Sequence, residues 1–331
     1  MSELACSSIS HPDVSVIIVS RNTQDYLRRS IESIQLGFQR YTVEIIVVDN
    51  ASTDGTVEYV RSLPNVRLIA NQTNTGFAEA NNQAFKIARG EHYFLLNSDA
   101  FMHQSCGDIL LDFMRKHSRA GLIVPTFEYV GGRWQPSFGS FPTVSRALQA
   151  LLGIENVQIL VYRLLDKYHC RLLRPKRVDY GEGAGLLIRG EVLREIGGIS
   201  TDYFFYSEDV DFNLQAARAG WQTWWVPQAR LTHVRGGSLS QKDFEAGLHM
   251  KFRSSMKLLL RHYSKRQVRL TYFLRFCYHQ RVLWSLKLLA LLPGTSRFMR
   301  YRLDKYRIVR DLYLTYLPAR RFYSYIEETQ G

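Results

Sequence analysis

Apolar and polar positions alternate along the first half of the chain in repeated strand and helix units. Residues 14–19 (VSVIIV) form a near-continuous β-branched run, the pattern of a strand covered on both faces. Leu27, Ile31 and Ile34 then recur at helical spacing. Residues 44–48 (EIIVV) predict a second strand. Asp54-Gly55-Thr56 follows as a turn or helix start, with Val57 and Val60 on the inner face of a short helix. Residues 66–70 predict a third strand and residues 77–88 a helix closed by Gly90 as its C-terminal cap. Residues 92–96 (HYFLL) predict a fourth strand that runs into Asn97-Ser98-Asp99. Units of this length require an α/β fold with a mostly parallel central sheet and right-handed crossovers. Ligands of such sheets lie beyond the carboxyl ends of the strands.

Beyond residue 126 the periodicity weakens. Residues 127–180 predict only a helix around 144–165 and a basic stretch at 171–177. Order returns with residues 183–188, a helix around 192–196, a helix over 209–218 capped by Gly220, and a strand over 221–226. The last ninety or so residues read as helical. No fixed-period repeat or low-complexity tract occurs, so solenoids drop out.

The 331 residues, 46% hydrophobic and 22% charged, suffice for one large or two modest domains and exclude wholesale disorder. The net charge of +13 resides in one place: residues 241–331 carry 19 Lys and Arg against 6 Asp and Glu, whereas the first 240 residues carry 24 of each. A neutral body with a basic tail predicts a limit near residues 239–242. The expected division is an N-terminal extension over 1–11, a catalytic domain over 12–240 with halves 12–126 and 127–240, and a helical basic region over 241–331. Cys6, Cys106, Cys170 and Cys277 are too scattered for a zinc knuckle or a CxxC motif. No apolar stretch of a secretory signal follows Met1, so reduced thiols in a cytoplasmic protein are expected.

Four polar clusters follow the predicted strands: Ser20-Arg21-Asn22, Asp49-Asn50, Asn74-Thr75-Gly76 and Asn97-Ser98-Asp99. Singly each is ordinary turn chemistry. Together they converge on one sheet edge. The strings VSVIIVSRN, EIIVVDNASTDGT, NTGFAEANNQAF, YFLLNSDA and FFYSEDVDFNLQAARAGW resemble the family 2 inverting glycosyltransferases, which have the GT-A fold that binds nucleotide-diphospho-sugars. NTGFAEANN and EDVDF resemble the branch that contains rhamnosyltransferases, and the likeness covers residues 12–240.

The resemblance implies that Ser20, Asn22 and Asp49 contact the base and ribose of a nucleotide-sugar donor, with Asp49 accepting from a pyrimidine N–H. It places Asn74, Gly76, Asn81 and Ser98 around the same ligand. Asp99 occupies the final carboxylate of the family's Asp-x-Asp metal motif, whose first acid is Asn97 here. His233, in HVRGGS, matches a second ligand, and Mg²⁺ or Mn²⁺ is the implied cofactor. A histidine after a strand is also an ordinary hydrogen-bonding residue. Asp209 is the implied general base and Glu208 its acceptor-binding neighbour, while Asp211 stands roughly 200° around the helix from Asp209. Acids that open a helix are also favoured by its dipole alone. Gly183, in the segment GAGLLIR, and Trp134 are the further acceptor-side candidates.

The implied reaction is metal-dependent inverting transfer of a sugar, with rhamnose from dTDP-rhamnose favoured, to a glycan or lipid-linked glycan in bacterial surface polysaccharide assembly. A sugar nucleotidyltransferase is the nearest alternative, but SRNTQDY is not the basic glycine-rich loop that grips a triphosphate. A nucleic-acid-binding protein would use the basic tail. Arg269, Arg275, Arg281 and Lys287 interrupt residues 268–292, leaving neither a clean amphipathic face nor a spanning helix. The tail therefore either packs on protein, including a second subunit in a homo-oligomer, or binds anionic lipid at the inner face of the cytoplasmic membrane.

Overall fold

The computed structural model describes residues 11–154, 157, 160–162, 164, 173–234, 241–290 and 297–315. Most of the expected N-terminal extension and the junction at 235–240 lie outside the described residues. Two compact units make up the chain: residues 1–139, 171–204 and 212–237 form one, and residues 140–170, 205–211 and 238–331 the other. The units part differently from a limit at residue 240, because segments 140–170 and 205–211 group with the tail.

In the first unit, β1 (Val14–Ser20), β2 (Val43–Asn50), β3 (Val66–Asn71) and β4 (His92–Asn97) pair in parallel in the order β3-β2-β1-β4. Next comes β11 (Gly185–Ile188), antiparallel both to β4 and to β6 (Ala120–Glu128). β6 pairs in parallel with β12 (Gln222–His233). Two reversals restore the original direction, so β1, β2, β3, β4, β6 and β12 all end on one edge. Against β12 lie β5 (Ala100–Met102) and β9 (Lys176–Val178), and against β6 lies β7 (Trp134–Gln135). β8 (Phe138–Gly139) and β10 (Tyr180–Gly181) form a separate pair.

Val16, Ile17 and Ile18 of β1 and Ile46, Val47 and Val48 of β2 are buried on both faces, as near-continuous apolar strands require. The covering helices supply apolar faces at helical spacing. α1 (Gln24–Gly37) buries Leu27 and Ile34, and α3 (Gly76–Ile87) buries Ala78, Ala80 and Ala84 against β1 and β2. α4 (Cys106–Lys116) buries Leu110, Leu111 and Met114 beside β6 and β12. Between β2 and β3 lies the short α2 (Thr56–Arg61), and α6 (Gly190–Ile196) follows β11.

Three elements differ from the sequence expectation, each for a local reason. Gly90 does not cap α3, which ends at Ala88 in extended conformation. A Cβ on Gly90 would lie 2.4 Å from the Ser15 nitrogen, so close strand approach is what demands glycine there. β12 continues past Pro227 to His233, because a register shift between Val226 and Arg230 absorbs the missing N–H. The helix expected over 144–165 breaks at Gly153, whose φ of +83° ends α5 (Val144–Leu152). Residues 154, 157, 160–162 and 164 are helical again.

The second unit is helical: α5, α8 (Gln241–His262), α9 (Lys265–Leu289) and α10 (Arg297–Thr315). A capping box of Ser264 and Gln267 opens α9. Phe252, Met256, Leu259, Val268, Tyr272, Leu312 and Tyr313 form the buried cluster of this unit. α7 (Glu208–Arg218) begins in the second unit and continues into the first.

Candidate active site

The strand ends of the first unit hold the polar clusters in a connected frame. The hydroxyls of Ser20 and Thr23 lie 2.9 Å apart, and Thr23 donates to the Ser98 hydroxyl at 2.9 Å, linking the loops after β1 and β4. Asn22, in left-handed conformation, donates its N–H to the Ser52 hydroxyl at 2.8 Å and accepts from the Thr53 N–H at 2.8 Å. These bonds brace the loop after β1 against the loop after β2. Asp49 is fully buried; its Oδ2 accepts from the Ser52 N–H at 2.9 Å, while its Oδ1 has no partner among the described residues. A sealed carboxylate oxygen without a donor is costly unless a ligand supplies one.

Asn74 accepts from the Gly76 N–H at 3.0 Å, forming a tight local turn. Gly76 has φ +82°, and a Cβ there would meet the Phe204 carbonyl oxygen at 2.6 Å, so only glycine fits. Asn81 is buried within α3 and donates to the Phe77 carbonyl at 2.8 Å, a helix-internal bond.

Pairing of β5 with β12 sets His233 opposite Ala100 and thus brings Asp99 and His233 together. His233 Nε2 lies 3.4 Å from Asp99 Oδ1. Gln135 donates from Nε2 to the His233 carbonyl at 3.1 Å, which leaves its Oε1 as acceptor, 2.9 Å from His233 Nδ1. In the neutral ring the Nδ1 therefore carries the proton, and the Nε2 then faces the carboxylate with its lone pair. Two electron-pair donors facing each other fit a cation, and 3.4 Å is near the roughly 3 Å between adjacent ligands of an octahedral ion with ~2.1 Å bonds. A histidine oriented through its other ring nitrogen is the usual arrangement of a metal ligand. Among the described residues no three His, Cys, Asp or Glu side chains converge, so such an ion would complete its shell with phosphate and water.

On the same edge, Gly183 lies just before β11 and is buried. Trp134 on β7 is buried at 6% exposure and offers little open face.

In the second unit, Tyr206 and Ser207 adopt φ of +71° and +70° immediately before the acids. Such non-glycine conformations cluster at functional sites. Glu208 is buried, its Oε2 has no partner among the described residues, and burial, reinforced by the Asp209 charge, pushes its carboxyl up to about 8. Asp209 is partly exposed. Asp211 is fully buried against His262 of α8, with Arg261 Nε 4.0 Å away. The Ser254 hydroxyl donates to the Phe205 carbonyl at 2.9 Å. The first tail helix thus holds the acid-bearing segment 205–211.

Gln135 and the anchors Ser254 and His262 were missed by the sequence reading, and no local motif marks them.

A sequence profile described as Glycosyl transferase family 2 matches residues 15–193. The chain belongs to that family. A second profile, Glycosyl transferase family group 2, matches residues 154–318 of this glycosyltransferase. An N-acetylglucosaminyl-diphospho-decaprenol L-rhamnosyltransferase of Mycobacterium tuberculosis is 30% identical over 243 residues, which span 67% of this chain and 76% of that protein. The mannosyltransferase PcManGT from Pyrobaculum calidifontis, solved with GDP-Man and Mn²⁺, matches with a TM-score of 0.57 at 16% identity, over 91% of this chain and 86% of that one. GalNAc-T7, solved with UDP, GalNAc and Mn²⁺, matches with a TM-score of 0.52 at 17% identity, over 72% and 48%. These likenesses show that the glycosyltransferase has the GT-A fold.

Proposed function

We propose that this enzyme moves a sugar, with inversion, from a nucleotide-diphospho-sugar to a lipid-linked glycan, and that rhamnose from dTDP-rhamnose is the sugar moved. The observation that carries the reading is what one sheet edge brings together: the buried Oδ1 of Asp49, without a partner among the described residues, and Asp99 facing His233. Asp49 is suited to a base N–H, and the Asp99 and His233 pair to a cation on the diphosphate. The name of the mycobacterial relative supports both the rhamnose and the lipid-linked acceptor.

In this reading Asp209 takes the proton from an acceptor hydroxyl, whose oxygen bonds to the anomeric carbon as the bond to the diphosphate oxygen breaks. The electron pair leaves on the nucleoside diphosphate. A divalent cation bound by Asp99 and His233 would neutralise that departing charge. Gln135 keeps His233 in the ligating tautomer, and the Ser20, Thr23 and Ser98 hydroxyls tie the donor loops together.

The test is to incubate the protein with Mn²⁺ and dTDP-rhamnose, UDP-glucose, UDP-GlcNAc or GDP-mannose, with and without a GlcNAc-diphospho-polyprenol. Acceptor-dependent release of dTDP is expected. Asp209→Asn should lower transfer by about 10²-fold or more while donor binding persists. Release from another donor would reassign the sugar. Consumption of a nucleoside triphosphate with pyrophosphate release would overturn the reaction class.

A further inference from the structure

α9 carries two apolar stripes on different sides. At 100° per residue, Val268, Tyr272, Leu283 and Leu286 fall within one sector of about 60°, and all four are buried in the second unit. Leu270, Phe273, Trp284 and Leu288 fall within another sector of about 60°, well round the helix from the first. These four are 48%, 56%, 63% and 64% exposed. From Leu270 to Leu288 the exposed stripe runs about 27 Å. Arg281, about 20° from Leu270 around the helix, donates to the Ala150 carbonyl at 3.2 Å, so the end of α5 borders the stripe. Just beyond α5, Ile154, Val157, Val161 and Leu164 are also exposed, and their spacing of three, four and three is that of one helix face.

We infer that this apolar surface of the second unit, with the stripe of α9 at its centre, is the face by which the enzyme lies on an anionic bilayer. Charge selects that occupant. α9 contains six basic residues and no acid, and no Asp or Glu occurs anywhere from residue 246 to residue 303. A second copy would bring two such basic surfaces together, whereas an anionic bilayer accepts both the charge and the apolar side chains. The Lys287 ammonium sits 5.4 Å from the centre of the Trp284 ring, an aromatic body with a cationic tip suited to the headgroup boundary. Among the described residues no helix is long and apolar enough to cross a membrane, and α9 with its six charges fits the interfacial plane. The inference deepens the proposed function, resting on it only for the purpose of docking, which is to reach a lipid-linked acceptor.

The experiment is sedimentation of the full-length protein with phosphatidylcholine vesicles, with and without an equal part of phosphatidylglycerol. Binding should require the anionic lipid and weaken as salt rises. The double substitution W284E/L288E should lower the apparent affinity at least tenfold with an unchanged circular dichroism spectrum, because both side chains are already mostly exposed. Trp284→Phe should keep binding but lose the blue shift of tryptophan emission on vesicles. Affinity equal to wild type in W284E/L288E overturns the inference. So does light scattering in which that variant splits a dimer while vesicle binding is unaltered, since the stripe would then cover a second copy. Nucleotide-diphosphate release in detergent, measured in parallel, should be unchanged in the variant. Its absence from the wild type would instead count against the transferase reading alone.

Discussion

A carboxyl with one oxygen sealed from water and no donor to meet it, as in Glu208, holds its proton far above the ordinary range. Burial is the main cause and the neighbouring Asp209 charge the second. A neutral Glu208 near pH 7 leaves no second full charge beside Asp209, the proposed base. The same shift makes stability depend on pH. Because the folded value is raised above the unfolded one, the contribution is fully present below about 4.5 and is lost as pH rises through about 8. Wild type should therefore lose stability relative to Glu208→Gln across that window, in urea midpoints taken at successive pH values. A constant gap would mean that Glu208 is solvated. The EDVDF string revealed the acids, but which one is perturbed follows from burial, which the string itself does not encode. Likewise the left-handed backbone at Tyr206 and Ser207 has no glycine to announce it.

At the scale of elements, β1 to β4 and the helices between them were legible because β1 and β2 are apolar on both faces, β3 and β4 are largely apolar, and the helices repeat at three to four residues. The edge where their polar ends meet followed from parallel order alone. β7 was not legible, since it has two residues and lies in the stretch of weak periodicity, yet it supplies Gln135. α9 misled for another reason: its buried and exposed stripes lie on different sides, so their apolar character cancels in any search for a single face. The partnership of β7 and β12 carries a prediction. Gln135→Leu removes the acceptor that fixes the His233 ring and should weaken Mn²⁺-dependent binding of the nucleoside diphosphate by about 10- to 100-fold. His233→Ala should weaken it at least as much. Titration calorimetry with and without Mn²⁺ checks both, and metal dependence unchanged in His233→Ala would return that histidine to a packing role.

For the whole molecule, each unit has its own buried cluster, and the proposed donor groups Asp49, Asp99 and His233 all belong to the first. The second is held by a different set, in which Leu259 of α8 is 1% exposed. Leu259→Ala should remove about 2–5 kcal/mol from the second unit by leaving a cavity. A nucleoside diphosphate with Mn²⁺ at about a hundred times its Kd should add about 2.7 kcal/mol, and only where it binds. Scanning calorimetry should then separate the two effects: the substitution lowers one transition, the ligand raises another, and the ligand does not restore the first. Transfer should fail at the lower transition, because α8 holds Asp211 through His262 and so positions the helix that bears Asp209. One transition moved equally by substitution and ligand would mean that the units unfold together, and the acid segment would then owe its position to the sheet as much as to the tail.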